Sequence, residues 1–327
     1  MRRLGRTATL AAAFILAAAP VAAQKAPPPD YPTKPIRMIV PFAPGGGTDI
    51  IGRLVAQELG QAWGQTVVVD NRGGGGGTIG ANLAARATPD GYTMVLCSLG
   101  ISYAPALYAK LPFDPVKDFA PISLVATQPF VYVVVPSLGV SSMKDLIALA
   151  KAKPGQLRYG SGGAGGSSHL GTELLRTMTG IDIVHVPYKG TGPALTAMLS
   201  GEIQMQLIGI SSVVPHMKSG RMRALAVSGA KRSTAAPDVP TVAESGVPGY
   251  VFDVWYGMLF PAGTPRALVA KSNAEINRVL KAPALAQRFA GVGVEPAGTT
   301  PEAFASMLKA EITKWKKVVA EANIRIE

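Results

Sequence analysis

The sequence predicts an α/β protein of two lobes, and three observations carry that prediction. Short β-branched runs alternate with stretches in which apolar residues recur at helical spacing, the pattern of strands and covering helices in a largely parallel sheet. A strand, a glycine-rich turn and a helix start occur together at residues 41–49 (PFAPGGGTD) and again at 159–169 (YGSGGAGGSSH). The order of elements around the second turn repeats the order around the first, so a second lobe of the same architecture is expected. The 327 residues suffice for two separate cores.

The chain opens with Arg2, Arg3 and Arg6 ahead of an apolar run over 10–19 and small residues at 21–23. This is the pattern of a secretory signal over 1–23, cut near Ala23, so the mature chain is expected to be soluble and exported. The run is shorter than the roughly 18 apolar residues that a bilayer span requires. Residues 24–30 read as a stiff proline-rich leader. Residues 36–40 form the first strand, and Ile50, Ile51, Leu54, Val55 and Leu59 the apolar face of the first helix. A second strand over 67–70 and the glycines of 73–77 lead into a helix over 81–86. After the Pro89-Asp90-Gly91 turn comes a third strand over 92–97, with 98–103 as a loop at its carboxyl end.

The second set begins with a strand over 131–135. Ser142 with Asp145 starts a helix in the manner of a capping box. Strands are expected at 157–159, 181–186, 203–208 and 224–227. A helix lined by Leu170, Leu174 and Met178 stops at Gly180, and one through Leu195 and Leu199 closes at Gly201. A long strand over 250–260 carries Trp255 and Tyr256, candidates for a cleft wall, with the core as the alternative place for the tryptophan. Thr264 as N-cap before Pro265, and Thr300 before Pro301, open two terminal helices. These helices have no sheet of their own, so they are expected to pack back on the first lobe. Lobe 1 then comprises 31–126 and 252–327 and lobe 2 comprises 127–251, with hinges at 127–130 and 250–255.

The chemistry expected at the two turns is anion binding. Glycines let the backbone approach a ligand, and the free N–H groups and positive dipole end of a helix start attract negative charge. A plain turn capped by Thr48 or Asp49 is the competing reading of the first turn, and the recurrence of the device is what favours a ligand. Gly75-Gly77-Gly80 and Gly160-Gly162-Gly165 match G-x-G-x-x-G, yet neither is followed at about 20 residues by an acidic residue ending a strand, so no dinucleotide is expected. No serine lies in G-x-S-x-G, and His169 after Ser167 and Ser168 reads as a cap and ligand contact rather than as half of a catalytic pair. Three scattered histidines and a lone Cys97 offer no metal-ligand spacing and no internal disulfide. Lys189, in Tyr188-Lys189-Gly190, either brings its ammonium to an anion or is a solvated turn lysine. No catalytic residue, metal or cofactor is expected.

The formal charge is +12, and without the three leading arginines 29 basic residues face 20 acidic ones. The basic residues are scattered, and the densest group, Lys314, Lys316 and Lys317 around Trp315, lies on an amphipathic helix. Nucleic acid is therefore not an expected partner, although a basic surface favours acidic ligands.

Six stretches in order, Pro41 to Asp49, Asp70-Asn71-Arg72, Asp90-Gly91-Tyr92, Tyr159-Gly160-Ser161, His185 to Gly190 and Pro240 to Gly246, resemble the Bug family. These are the periplasmic solute receptors of tripartite tricarboxylate transporters, and the resemblance spans the mature chain. It implies a two-lobed periplasmic-binding-protein fold of the type II, Venus-flytrap kind, with a monomer that closes on a small carboxylate. A dicarboxylate, tricarboxylate or aromatic acid would be delivered to the membrane subunits of the transporter; ligand sensing for a signalling partner is the alternative role, and a hydrolase using Ser161 or Ser168 with His169 the competing class. The resemblance puts Thr48, Asp49, Ser161, Tyr188, Lys189 and Gly190 nearest the ligand, and the expected site is completed by Phe42, Gly46, Gly47, Ser98, Gly163, Ser167, His169 and Ile208. Leu207-Ile208-Gly209-Ile210 is apolar where many relatives carry a polar residue, which suggests a pocket for a ligand with an apolar body.

Overall fold

The computed structural model describes residues 30–321 and Ile324. The expected signal and all but the last residue of the leader lie outside the described residues. The first unit is β1 (Ile36–Val40), α1 (Gly47–Trp63), β2 (Val67–Asn71), α2 (Thr78–Ala85), β3 (Thr93–Ser98) and α3 (Gly100–Leu107). β4 (Phe119–Val134) leads into α4 (Met143–Ala152), β5 (Arg158–Ser161), α5 (Ser167–Thr179), β6 (Val184–Pro187), α6 (Thr191–Leu199), β7 (Met205–Gly209), α7 (Val214–Lys218) and β8 (Arg223–Val227). β9 (Asp253–Pro261) returns to the first unit, and α8 (Arg266–Leu280), α9 (Pro283–Gly291), β10 (Glu295–Pro296) and α10 (Pro301–Glu321) follow.

β1 pairs in parallel with β2 and β3, and β5 in parallel with β6 and β7. β4 and β9 run antiparallel to their neighbours and join the two sets into one path, β2-β1-β3-β9-β4-β7-β5-β6. β4 pairs with β9 as far as Pro129 and with β7 from Phe130, so one strand serves both sets. The sequence reading started this strand at Val131. Its first part was hidden because prolines read as breaks; here Pro121 borders a register shift and Pro129 stands at the change of partner.

Local signals explain most helix ends. Ser142 Oγ accepts the Asp145 N–H at 3.1 Å, and Thr300 Oγ1 accepts the Ala303 N–H at 3.2 Å. The N–H of Gly180, left-handed at φ 67°, bonds the Arg176 carbonyl and ends α5. Two expectations fail. Thr264 does not cap α8; its hydroxyl donates to the Pro261 carbonyl, and Pro265 takes the N-cap position. Residues 98–103 are not all loop, because α3 starts at Gly100; its residues from Gly100 to Ala104 are all buried, so it lacks the polar face that betrays a helix in sequence.

The buried stripe of α10, Phe304, Leu308, Ile312, Trp315 and Val319, packs over α3 and β4, while α8 lies on β4 and α1. Trp315 meets Tyr103 and Phe252 edge to face at 5.8 and 5.6 Å. A smaller core gathers Val131, Val133, Ala194, Met198, Ile208 and Ile210 between α6 and the second set of strands. The fold thereby places the carboxyl ends of β1 and β5, each running into a glycine turn, on either side of the paired strands β4 and β9.

Candidate ligand-binding cleft

The first turn is held from behind by charge. Asp49, 4% exposed, accepts the Gly45 N–H at 3.0 Å and a hydrogen bond from Arg53 Nε at 3.0 Å. Asn71 Nδ2 donates to the other Asp49 oxygen at 2.9 Å and to the Phe42 carbonyl at 3.0 Å. Burial alone would raise the Asp49 pKa, but the Arg53, Gly45 and Asn71 hydrogen bonds outweigh it and hold the carboxyl below its ordinary range. Gly46, the N-cap of α1, is extended and receives no side-chain cap. With Asp49 reaching back to Gly45, the first N–H groups of the helix stay available.

The second turn is held by neutral groups. Ser168 Oγ accepts the Gly162 N–H at 2.9 Å, Ser161 Oγ the Gly163 N–H at 3.1 Å, and His169 Nδ1 the Gly165 N–H at 3.0 Å. Ser161 Oγ also lies 2.6 Å from His185 Nε2. His185 stacks against His169, at 4.0 Å, and against Tyr159, at 4.9 Å, and the Tyr159 hydroxyl donates to Glu173 at 2.6 Å. Burial, with the neighbouring His169 and Arg176, pushes the His185 pKa down to about 3, and burial also lowers that of His169. Gly166 caps α5 without a side chain, and extended Gly190 does the same for α6.

Between the turns lies a small cavity of about 30 Å³. The first turn and the end of β3 contribute Phe42, Gly46, Gly47, Thr48 and Ser98; the second set contributes Gly162, Gly166, Ser167, Ser168 and Thr191; Phe130 and Tyr256 come from the crossing strands. Three helices, α1, α5 and α6, thus begin at its wall with no side chain on their first N–H groups. None of the lining residues, among the described residues, is acidic. A wider groove outside α1, lined by Gln57, Gln61 and Thr66, touches neither glycine turn. Among the described residues, no group of three or more histidine, cysteine or acidic side chains is placed to hold a metal ion.

The other expected site residues occupy different places. Asp49, Ser161, Gly163 and His169 sit one layer behind the wall, bonded to the turns. Tyr188, Lys189 and Gly190, in the loop between β6 and α6, form a seam against the first turn. The Ala43 N–H donates to the Lys189 carbonyl at 3.0 Å, the Lys189 side chain is exposed, and the Tyr188 hydroxyl donates to Glu202 at 2.8 Å. Tyr103 and Tyr108 close the other side of the cleft, through Ser167 Oγ at 3.0 Å and the Ala164 carbonyl at 2.7 Å. Ile208 does not reach the cavity: strand alternation turns it into the smaller core and its neighbour Leu207 into the larger, so the apolar stretch does not shape the pocket. Sequence reasoning missed Phe130, Gly162, Gly166, Ser168 and Thr191 as lining residues, and His185 as the partner of Ser161. Gly162, Gly166 and Ser168 stood inside a recognised turn, and Thr191 followed a recognised glycine. Phe130 and His185 carried no local signal.

A family model described as the tripartite tricarboxylate transporter family receptor, TctC, matches residues 51–324. The chain belongs to this family. The periplasmic binding protein BugD superposes with a TM-score of 0.88 at 34% identity, over 91% of this chain and 100% of that one, in keeping with the Bug resemblance. An R. palustris protein solved with adipate gives a TM-score of 0.87 at 37% identity, over 90% and 99% of the two chains. MatC from Rhodopseudomonas palustris with bound malate gives 0.85 at 32%, over 88% and 100%. The fold of this TctC receptor is therefore the two-lobed fold of periplasmic binding proteins, and its general role is that of a periplasmic solute-binding receptor.

Proposed function

We propose that this receptor captures a small organic carboxylate in the closed cleft and delivers it to the membrane subunits of a tripartite transporter. The observation that carries the reading is the convergence of three helix starts, free of side-chain caps, on a cavity whose lining residues include no carboxylate. Backbone N–H groups at helix starts bind anions without a cationic side chain, and each hydrogen bond to a charged group contributes about 1.5–3 kcal/mol. Phe42 and Phe130 supply aromatic walls suited to the ligand's carbon body. The adipate and malate bound to two relatives support a dicarboxylate, with tricarboxylates and aromatic acids as further members of the class.

In this reading the chain is exported by its N-terminal signal and works as a monomer in the periplasm, without enzyme activity. Residues 31–126 with 252–327 move as one lobe against 127–251, and the change of partner at Pro129 supports a hinge there. Ser161 and His185 support the turn rather than catalysis, because Ser161 is fully buried and its oxygen already accepts a backbone N–H. A thermal-shift screen of dicarboxylates, tricarboxylates and aromatic acids tests the function. A ligand that binds only the folded state, at 100 times its Kd, adds about 2.7 kcal/mol. Failure of every acid to raise the Tm, or ester turnover that disappears with Ser161→Ala, would overturn the proposal.

A further inference from the structure

The floor of the cavity holds a hydroxyl whose proton is not used by the protein. Gln128 Nε2 donates to the Tyr256 hydroxyl oxygen at 2.5 Å, and both residues are almost wholly buried, at 2% and 1% exposure. The Tyr256 hydroxyl donates to no protein acceptor among the described residues, although Tyr256 lines the cavity. Gln128 Oε1 and Ser211 Oγ are buried beside it without partners. All three groups surround the first turn of α1. A Cβ placed on Gly47 would lie 2.6 Å from Gln128 Nε2, 3.1 Å from the Tyr256 hydroxyl oxygen and 3.5 Å from Ser211 Oγ. A buried polar group left unpaired costs about 1–3 kcal/mol, so unspent hydrogen-bonding capacity gathered at a cavity wall points to an occupant.

Tyr256 belongs to β9 and Gln128 to β4, the strands that join the two halves, and Gln128 immediately precedes the partner change at Pro129. Burial raises the Tyr256 pKa well above its ordinary value, so the group stays a neutral donor across the physiological range.

Resting on the receptor reading above, we propose that Tyr256 is a ligand-binding residue whose O–H donates to a carboxylate oxygen seated at the start of α1, with Gln128 as its positioning residue. By filling a lone pair of the phenol oxygen, the Gln128 amide leaves the proton as what Tyr256 presents to the cavity. The ligand then touches the joining strands as well as the two turns, and its arrival is felt where β4 changes sheets.

Calorimetry with malate, adipate and benzoate as probes tests this on the wild type, Tyr256→Phe, Gln128→Met and the double variant. Tyr256→Phe removes only the hydroxyl, and Gln128→Met keeps the side chain's length. For the tightest-binding probe, Tyr256→Phe is expected to raise Kd about tenfold or more, the loss of one hydrogen bond to a charged group. Gln128→Met should raise Kd less, and the double variant should bind no worse than Tyr256→Phe, because the glutamine acts only through the hydroxyl. A Tyr256→Phe protein that melts lower but keeps its affinity would overturn the assignment and leave the hydroxyl a structural group. If Tyr256→Phe does not fold, unchanged affinity in Gln128→Met overturns it equally. Wild-type protein that binds none of the three probes removes the receptor reading and this assignment with it, whereas binding by the wild type with no change in the variants removes this assignment alone.

Discussion

The two glycine turns present the same face to the cavity and are built on opposite electrostatic principles. At the first, a buried carboxylate, an arginine and an asparagine hold the loop, and the charge stays because every bond to Asp49 favours its ionised form. At the second, serine hydroxyls and two stacked histidines do the same work, and burial keeps the histidines neutral. The presentation of backbone N–H groups is what the two share. In the proposed reading the anion site is specified by main-chain geometry, and the side chains behind it are interchangeable solutions to one positioning problem.

The largest effect is expected where each turn meets the opposite half of the molecule. A Cβ on Gly192 would lie 2.2 Å from the Pro44 carbonyl oxygen, and one on Gly76 2.4 Å from that of Ala164. Neither contact can relax by moving a flexible side-chain end. Gly192 lies in the first turn of α6, where alanine favours the helix by up to about 1 kcal/mol over glycine. Gly192→Ala should therefore keep or raise the Tm of the unliganded protein while weakening ligand binding about a hundredfold or more, since two or more charged hydrogen bonds need the closed cleft. Calorimetry and melting curves on the same sample check both halves. Affinity within a few-fold of wild type would mean that the first turn need not meet α6 for binding.

The next effect separates the turns by pH. The His185 pKa lies near 3 in the fold against an ordinary 6.5, so between those values the unfolded chain binds more protons than the native one. The stability this group contributes is complete above about pH 6.5 and is lost progressively as pH falls toward 3; His169, lowered in the same direction, adds to it. The groups facing His185 are His169, Tyr159 and Ser161, with Glu173 and Arg176 behind them. The first turn follows a different course: the lowered Asp49 pKa keeps its contribution intact until pH drops below the ordinary carboxylate value of 3.8. Melting curves from pH 7.5 down to 4.5 should show a falling Tm, and His185→Gln should flatten that fall. An unchanged slope in His185→Gln would show that the neutral stack is not what ties the second turn to pH.

What could be read from the sequence divides along the same line. The glycines of both turns were legible because close backbone approach and a helix start restrict residue choice locally. The pairing of Ser161 with His185 was not, because it crosses between adjacent parallel strands and is fixed by their register. The first part of β4 was obscured by Pro121 and Pro129, and with it the place of Phe130 in the wall. Ile208 was misjudged for a related reason: a run of apolar residues does not say which of them alternation turns toward a cleft. Main-chain chemistry was therefore readable at the turns, and side-chain partnership across the sheet was not.

The smallest expected effect is at Lys189, and it decides whether a cation also serves the anion. Its carbonyl accepts the Ala43 N–H and so belongs to the seam, but its side chain is exposed and none of the cavity-lining residues is a lysine. An exposed ammonium outside the cavity interacts through water and salt, where ion pairs are worth at most about 1 kcal/mol. Lys189→Ala keeps the carbonyl and removes the ammonium, so the Kd of a bound carboxylate should rise by no more than about twofold. The residual difference should shrink further as salt is raised from 0.05 to about 0.5 M, because screening over several ångströms affects only a charge acting at a distance. A tenfold loss that persists in high salt would instead place the ammonium against the ligand, and the cradle would then be cationic on one side rather than built from main chain alone.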